Sequence, residues 1–177
     1  MGTDTDIVIP NGVTAIGARA FEDFQSPVAV RIPASVTDID ENALHRVWMV
    51  KVDDGNTEFS SYNGILYSKD RSKLLRCPQG RPGSIIIPNG VTMVGDYAFH
   101  SCDDLLEIYI PASVTSIGEF AFWGCSITGV MISEGVESIE NATFAGCSSL
   151  TDVIIPDSIV KSLQLLQLRG TEAGKKP

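Results

Sequence analysis

The sequence repeats a short pattern about every 23 residues, and this period constrains the fold more than any other feature. Ile9 and Ile32 are 23 residues apart, as are Ile87 and Ile110. A β-branched motif that usually ends in proline recurs in this register at residues 7–10, 30–33, 85–88, 108–111, 130–133 and 153–156. Two apolar columns follow it with the same period: Val13, Val36, Val91, Val114 and Val136, then Ile16, Ile39, Val94, Ile117 and Ile139. Such a period is typical of a repeat solenoid.

Each repeat unit predicts a strand followed by a return segment. Along the strand motif, apolar residues that face the core alternate with residues that face outward, as in a half-buried strand. Proline ends the strand because it has no backbone N–H to donate to the neighbouring strand. The next stretch places apolar residues three and four positions apart, which predicts a short helical return. One unit cannot bury its own apolar residues, so stacked units should form a parallel sheet with the return segments on the other side.

These residues resemble the BspA-like class of leucine-rich repeats, whose pattern runs roughly Leu-x-x-Ile-x-Ile-Pro-x-x-Val-x-x-Ile-x-x-x-Ala-Phe-x-x-Cys. The likeness covers residues 7–156 and is most specific over residues 116–125. The departures keep the apolar or turn character of the pattern: Leu44 for Phe, Phe24 and Val47 for Cys, and Ser133 for Pro. The resemblance implies a right-handed α/β superhelix with short parallel strands on one face and short helical or irregular returns on the other.

The resemblance also implies a location and a role. Members of this family are typically found on bacterial and protist surfaces and are associated with adhesion and the binding of host proteins. A cell-surface or secreted protein that binds a host or extracellular-matrix protein is therefore expected. The segment at residues 1–6 lacks the basic and apolar regions of a secretory signal. A cytoplasmic location is the alternative.

The regular period is broken once, by an insert at about residues 56–84. Two apolar runs, at residues 65–68 and 73–78, flank a polar turn at residues 69–72, which predicts an inserted β-hairpin. We expect this hairpin to project from the stack. Beyond the solenoid, an apolar stripe predicts a C-terminal capping helix at residues 157–169. The polar composition of residues 170–177 predicts a disordered tail.

The N-terminal end of the array has no evident cap. The first strand motif begins by residue 7, so its backbone groups would form an unpaired edge. End-to-end self-association, or a further segment upstream, is the expected consequence.

Composition excludes several classes of partner. The chain has 13 Lys and Arg against 22 Asp and Glu, and its isoelectric point is near 4.6. Binding to nucleic acid or to anionic lipid needs an excess of basic residues, so neither is expected. No stretch approaches the ~20 apolar residues that span a bilayer, so no membrane insertion is expected.

The sequence carries no catalytic motif, and we expect neither an enzyme nor a cofactor. Cys102, Cys125 and Cys147 share one repeat position, so they predict an inward column of thiols, whereas Cys77 stands apart with no evident partner. Spacing alone leaves a disulfide or a three-thiol metal site open. Apolar residues fill the same position in other units, which favours inert buried thiols and no metal. His45 and His100 are isolated.

The outward residues of the strands are the candidate binding surface. Strand alternation places one column of side chains away from the interior: Val8, Arg31, Lys51, Ile86, Tyr109, Met131 and Ile154. Four large apolar side chains follow one another in this column, and such a run often marks an interaction surface. We predict a binding stripe of Ile86, Tyr109, Met131 and Ile154, with Arg31 and Lys51 at its other end. A structural spacer in a longer repeat protein, with no ligand of its own, is the alternative.

Overall fold

The computed structural model describes residues 6–156, which form a solenoid of about seven turns. Every regular element in this range is a strand, and none is a helix. The strands are β1 (Asp6–Val8), β2 (Ala15–Ile16), β3 (Val28–Ile32), β4 (Asp38–Ile39), β5 (Val47–Val52), β6 (Phe59–Tyr62), β7 (Ile65–Ser68), β8 (Lys73–Arg76), β9 (Gly83–Ile86), β10 (Met93–Val94), β11 (Leu105–Ile110), β12 (Ser116–Ile117), β13 (Gly129–Ile132), β14 (Ser138–Ile139) and β15 (Asp152–Ile154).

The longer strands form one side of the solenoid, as parallel sheets in two pieces. β1, β3 and β5 form one sheet, and β9, β11, β13 and β15 form the other. Equivalent residues of successive units pair directly, for example Ile108 with Val130. Burial alternates along β11, where Ile108 and Ile110 are buried and Tyr109 is exposed. The predicted strand register is therefore confirmed.

The return segments are not helical, and the predicted α/β superhelix with helical returns is wrong in this respect. Each return begins with a tight turn, such as that closed by the Val114 amide on the Pro111 carbonyl at 3.1 Å. A two-residue strand follows, and its backbone bonds to the neighbouring unit, as the Gly118 amide does to the Val94 carbonyl at 2.9 Å. Because these bonds run between units, the apolar spacing of three reflects a turn and a strand.

A third side consists of stacked turns that carry the Ala-Phe pairs. The Phe99 amide donates to the Ala121 carbonyl at 2.7 Å, and the Phe122 amide donates to the Thr143 carbonyl at 2.8 Å. Equivalent residues in these turns adopt a left-handed backbone without being glycine: Tyr97 (φ 53°), Phe120 (φ 53°) and Ala142 (φ 52°). Non-glycine residues rarely adopt this conformation, so the bonds between units maintain it.

The insert forms antiparallel strands that belong to the stack. β6 pairs with β7 and β7 pairs with β8 in antiparallel fashion, while β8 also pairs in parallel with β10. Tyr67 and Leu74 are buried in the core. The prediction that the hairpin projects is therefore wrong, because its apolar side chains need the cover that the solenoid provides.

The buried side chains form two clusters that meet at the insert. One lies in the N-terminal units and includes Phe21, Val50 and Leu66. The other extends from Ile65 to Leu150 and contains the stacked Phe column. The predicted capping helix at 157–169 and tail at 170–177 lie outside the described residues.

Candidate binding surface

The four apolar residues of the predicted stripe lie side by side on the outer face of one sheet. Tyr109 pairs with Ile86 in β9 and with Met131 in β13, and Met131 pairs with Ile154 in β15. All four side chains are exposed to solvent: 75% for Ile86, 38% for Tyr109, 43% for Met131 and 57% for Ile154. The β-ladder holds these residues rigidly in register. We call these four residues the sheet-face stripe.

The sheet-face stripe lines a shallow cavity of about 390 Å³. Gly129 lies in β13 between Glu107 and Asp152, and its missing side chain opens space beside Met131. The two exposed carboxylates border the apolar floor, so the cavity combines an apolar centre with an acidic margin. Such a surface suits an apolar group that is surrounded by hydrogen-bond donors or positive charge.

Ser133 contributes to this surface, although its place in the repeat pattern predicted only a turn residue. Its hydroxyl oxygen lies 3.1 Å from the hydroxyl of Tyr109, within hydrogen-bond distance. Ser133 stands where the repeat pattern has proline, and proline could not make this bond. The departure from the pattern therefore anchors the outer end of the tyrosine ring.

Arg31 and Lys51 do not join the sheet-face stripe. They pair with each other in the sheet of β1, β3 and β5, and the described residues show no ladder between β5 and β9. The Arg31 guanidinium also forms an ion pair with Asp6 at 2.9 Å. Both side chains line a separate cavity of about 190 Å³. The insert thus divides the predicted column: Ile86, Tyr109, Met131 and Ile154 lie on one sheet, and Arg31 and Lys51 lie on the other.

A cluster of aromatic side chains on the turn side was not predicted. Tyr97 stacks on Phe120 with ring centroids 5.2 Å apart, and His100 stacks on Trp123 at 4.9 Å. All four rings are partly or fully exposed. The signal was available, because Tyr97 and Phe120 are one period apart, as are His100 and Trp123.

The three equivalent cysteines form the predicted inward column, and all are free and buried. Cys125 donates to the Phe99 carbonyl at 2.7 Å and Cys147 to the Phe122 carbonyl at 2.9 Å. Hydrogen bonding to Cys125, together with burial, raises the pKa of the Cys147 thiol far above its ordinary value. A raised pKa keeps a thiol protonated and therefore unreactive.

Cys77 belongs to the same column, so the prediction that it stands apart is wrong. It is buried, and the Cys102 thiol lies 3.7 Å from its carbonyl oxygen. Within residues 6–156, no three or more His, Cys, Asp or Glu side chains are placed to hold a metal ion. The thiols are thus core residues in this part of the chain.

Asn141, Ala142 and Thr143 match the sequence motif for N-linked glycosylation. Thr143 is nevertheless a core residue. Its buried hydroxyl donates to the Glu140 carbonyl at 2.7 Å and lies 3.1 Å from the Gly118 carbonyl. These contacts account for threonine at a position that alanine holds in other units.

In the described range there is also no helix with the length and apolar character to cross a membrane.

Stacked parallel strands that repeat about every 23 residues are typical of a leucine-rich repeat protein. The family model for the BspA type leucine rich repeat region matches 6 copies, over residues 3–69 and 81–165. The chain therefore belongs to the BspA type leucine-rich repeat family. The family suggests a protein-interaction or surface repeat role, and its members are generally not enzymes.

Solved structures of bacterial leucine-rich repeat proteins are similar to this chain. A leucine-rich repeat protein from Eubacterium ventriosum is 25% identical, with a TM-score of 0.55 over 85% of this chain and 55% of that one. A leucine rich cell surface protein from Faecalibacterium prausnitzii is 27% identical, with a TM-score of 0.59 over 86% of this chain and 54% of that one.

The pneumococcal vaccine antigen PcpA shares the fold at 23% identity, with a TM-score of 0.70 over 86% of this chain and 45% of that one. The chain thus spans about half the length of the structures that it resembles. Among curated proteins no match to this sequence is found.

Proposed function

We propose that this chain is a protein-binding module of the adhesion type, at the cell surface, and that it binds through the sheet-face stripe. The observation that carries the proposal is the run of four exposed apolar side chains on adjacent strands around one cavity. Tyrosine and methionine are enriched in interface centres, and tyrosine is a frequent hot spot. Family membership supports a role in protein interaction.

The dimensions of the stripe fit the centre of an interface. Adjacent strands lie ~4.8 Å apart, so four strands span roughly 15 Å. That length is shorter than a whole standard interface, and the surrounding rim would supply the remaining area. Burying the Tyr109 and Met131 side chains would contribute roughly 1.5–3 kcal/mol each.

The charges around the stripe favour a particular kind of partner. Glu107 and Asp152 border the cavity, so the partner should surround its apolar anchor with Lys or Arg side chains. Arg31 and Lys51, on the neighbouring sheet, would contact an acidic part of the same partner only if it extends beyond the stripe. A host or extracellular-matrix protein with a basic, apolar-centred epitope is the expected ligand class.

The test introduces charge into the stripe and measures capture. The double variant Tyr109→Glu and Met131→Glu should keep the wild-type circular dichroism and melting temperature, because both side chains are exposed. The affinity of the immobilised chain for the proteins that it captures from an extracellular-matrix extract should fall at least tenfold, which is ~1.4 kcal/mol. The matched control is Met93→Glu in β10, which is 41% exposed, lies outside the sheet that carries the stripe, and should capture as wild type does.

Two results would overturn the proposal. Equal capture by the wild type, the double variant and the control would remove the stripe from binding. Absence of any captured protein would instead favour the alternative role of a structural spacer without a ligand.

A further inference from the structure

The turn side of the solenoid contains a polar cavity where the insert interrupts the stacked turns. Its volume is about 550 Å³, and its walls come from turns of the first two units, from the end of the insert, and from the turn that follows β10. Seven polar side chains line it: Arg19, Glu22, Asn42, His45, Arg76, Gln79 and His100. Cavities of this size hold small organic molecules, and polar walls select polar ones.

The Arg76 side chain is a buried cation in this wall without an ion-pair partner among residues 6–156, and the Glu41 carboxylate acts on it only from beyond ion-pair distance. Arg76 is only 5% exposed, and its Nη1 donates to the backbone carbonyl of Tyr97. Its Nε is buried without a hydrogen-bond partner, and no carboxylate among residues 6–156 lies within ion-pair distance of it. Burial lowers the pKa of the Arg76 guanidinium, because removing the charge from water disfavours the charged form. A charge buried in this way normally has a counter-charge.

The charges of the other walls offset each other, because Arg19 and Glu22 both line the cavity. Arg19 lies on the rim, where Glu22 is its only described ion-pair partner, at a long 3.6 Å. Both histidines of the chain line the cavity, and the buried Nδ1 of His100 has no partner in the described residues. Burial lowers the pKa of His100, and the neighbouring Arg76 lowers it further. A lowered pKa keeps His100 neutral, so the Arg76 guanidinium is the one charge of the described wall that no neighbouring wall residue offsets, in a chain whose net charge is −9.

We propose that this cavity binds a small polyhydroxylated ligand through an anionic carboxylate or phosphate group, with Arg76 as its counter-charge. The anion would replace the missing acidic partner of Arg76, and Arg19 would add a second positive charge at the rim. Asn42 offers an amide group to ligand hydroxyls, and Gln79 offers its amide oxygen, because its amide nitrogen already donates to the His100 carbonyl at 3.3 Å. The site is on a different side of the solenoid from the sheet-face stripe and does not depend on it.

Histidine resonances give a direct readout, because both histidines of the chain lie in the cavity wall. Glucuronate, glucose 6-phosphate and glucose are titrated at constant ionic strength and neutral pH, while proton NMR follows the ring signals of His45 and His100. We expect saturable shifts with the two anionic sugars and none with glucose. Saturation by only one of the anions would identify the group as carboxylate or phosphate and would support the site.

Charge-removing variants locate the site. Arg76→Gln should weaken binding at least tenfold and Arg19→Gln about threefold, in proportion to how buried each charge is. Arg31→Gln removes the same charge from the sheet side and should bind as wild type does. If Arg76→Gln fails to fold, the comparison of Arg19→Gln with Arg31→Gln decides the question. Equal shifts with glucose, no saturable shift with either anion, or equal weakening by Arg31→Gln would overturn the proposal.

Discussion

The rings of Phe122 and Phe144 stack almost parallel, with centroids 5.0 Å apart and planes inclined by 3°. Phe99 continues the stack on the other side of Phe122 at 4.9 Å. Each unit therefore adds one ring to a continuous aromatic column in the C-terminal core. Phe122 is the middle ring of the three and contacts a neighbour on both faces.

Truncating the middle ring should destabilise the protein strongly. Phe122→Ala should lower the free energy of unfolding by about 3–5 kcal/mol, as buried Phe truncations typically do. Phe21→Ala should cost less, because Phe21 lies in the N-terminal cluster and contacts only one ring, the tilted ring of Phe24 at 6.3 Å. Urea unfolding of both variants measures the difference. Equal and small losses would mean that the Phe column is not the core.

The buried thiols should be reduced and unreactive in the native protein. Cys77, Cys102, Cys125 and Cys147 are all free and buried, and the pKa of Cys102, Cys125 and Cys147 is raised. Iodoacetamide should therefore add to none of them under native conditions and to all four in denaturant without reductant. Mass spectrometry counts the adducts. Two adducts in denaturant would reveal a disulfide and contradict the structure.

Removing the hydroxyl of Tyr67 should stabilise the protein. This hydroxyl is buried, and none of the described residues accepts or donates a hydrogen bond to it. An unsatisfied buried polar group costs about 1–3 kcal/mol, so Tyr67→Phe should raise the free energy of unfolding by about 1 kcal/mol. Tyr109→Phe is the control, because its hydroxyl is at the surface beside Ser133. Denaturant midpoints compare the two, and a destabilised Tyr67→Phe protein would indicate a partner for the hydroxyl.

The same tyrosine should make stability depend on alkaline pH. Burial raises the pKa of Tyr67 to about 12. The unfolded chain loses this proton near pH 10, whereas the folded chain retains it, so stability should fall between pH 10 and 12. The contribution is roughly 2–3 kcal/mol at two pKa units. Tyr67→Phe should reduce the dependence of the unfolding free energy on pH between pH 10 and 12. An unchanged dependence would mean that other groups cause the loss of stability.

The strand register and the outward column were predictable because both are local. Alternation along a strand fixes which side each residue faces, and the period of 23 transfers that assignment from Tyr109 to Ile86 and Met131. The exposure of these side chains follows from the same alternation. Whether a partner uses them is a property of that partner, which the sequence does not contain.

The return segments could not be predicted in the same way. An apolar spacing of three fits a helix turn, and it fits equally a tight turn followed by a strand residue. The hydrogen bonds that distinguish the two, such as that from Gly118 to Val94, join residues in different units. The spacing of apolar residues within one unit does not predict hydrogen bonds of this kind, because their partners lie in another unit.

The position of Cys77 and the polar cavity could not be predicted, because the insert interrupts the repeat period. Cys77 precedes Cys102 by 25 residues, so it falls out of the column register although it occupies the column in space. The polar cavity beside Arg76 exists only because the insert separates turns that would otherwise stack. Its residues come from four segments, and although Arg19 and Asn42 are one period of 23 residues apart, Arg76 and Gln79 belong to the insert and fall outside that period.

The division of the core at the insert has a consequence for how the molecule opens. The N-terminal units adjoin the remainder through the insert, for example by the bond from the Val50 amide to the Gly64 carbonyl at 3.0 Å, and not through a ladder between β5 and β9. Elements joined by few shared bonds exchange their amide protons as separate cooperative blocks. The backbone of β1, β3 and β5 would then exchange with deuterium together, while β11 and β13 remain protected.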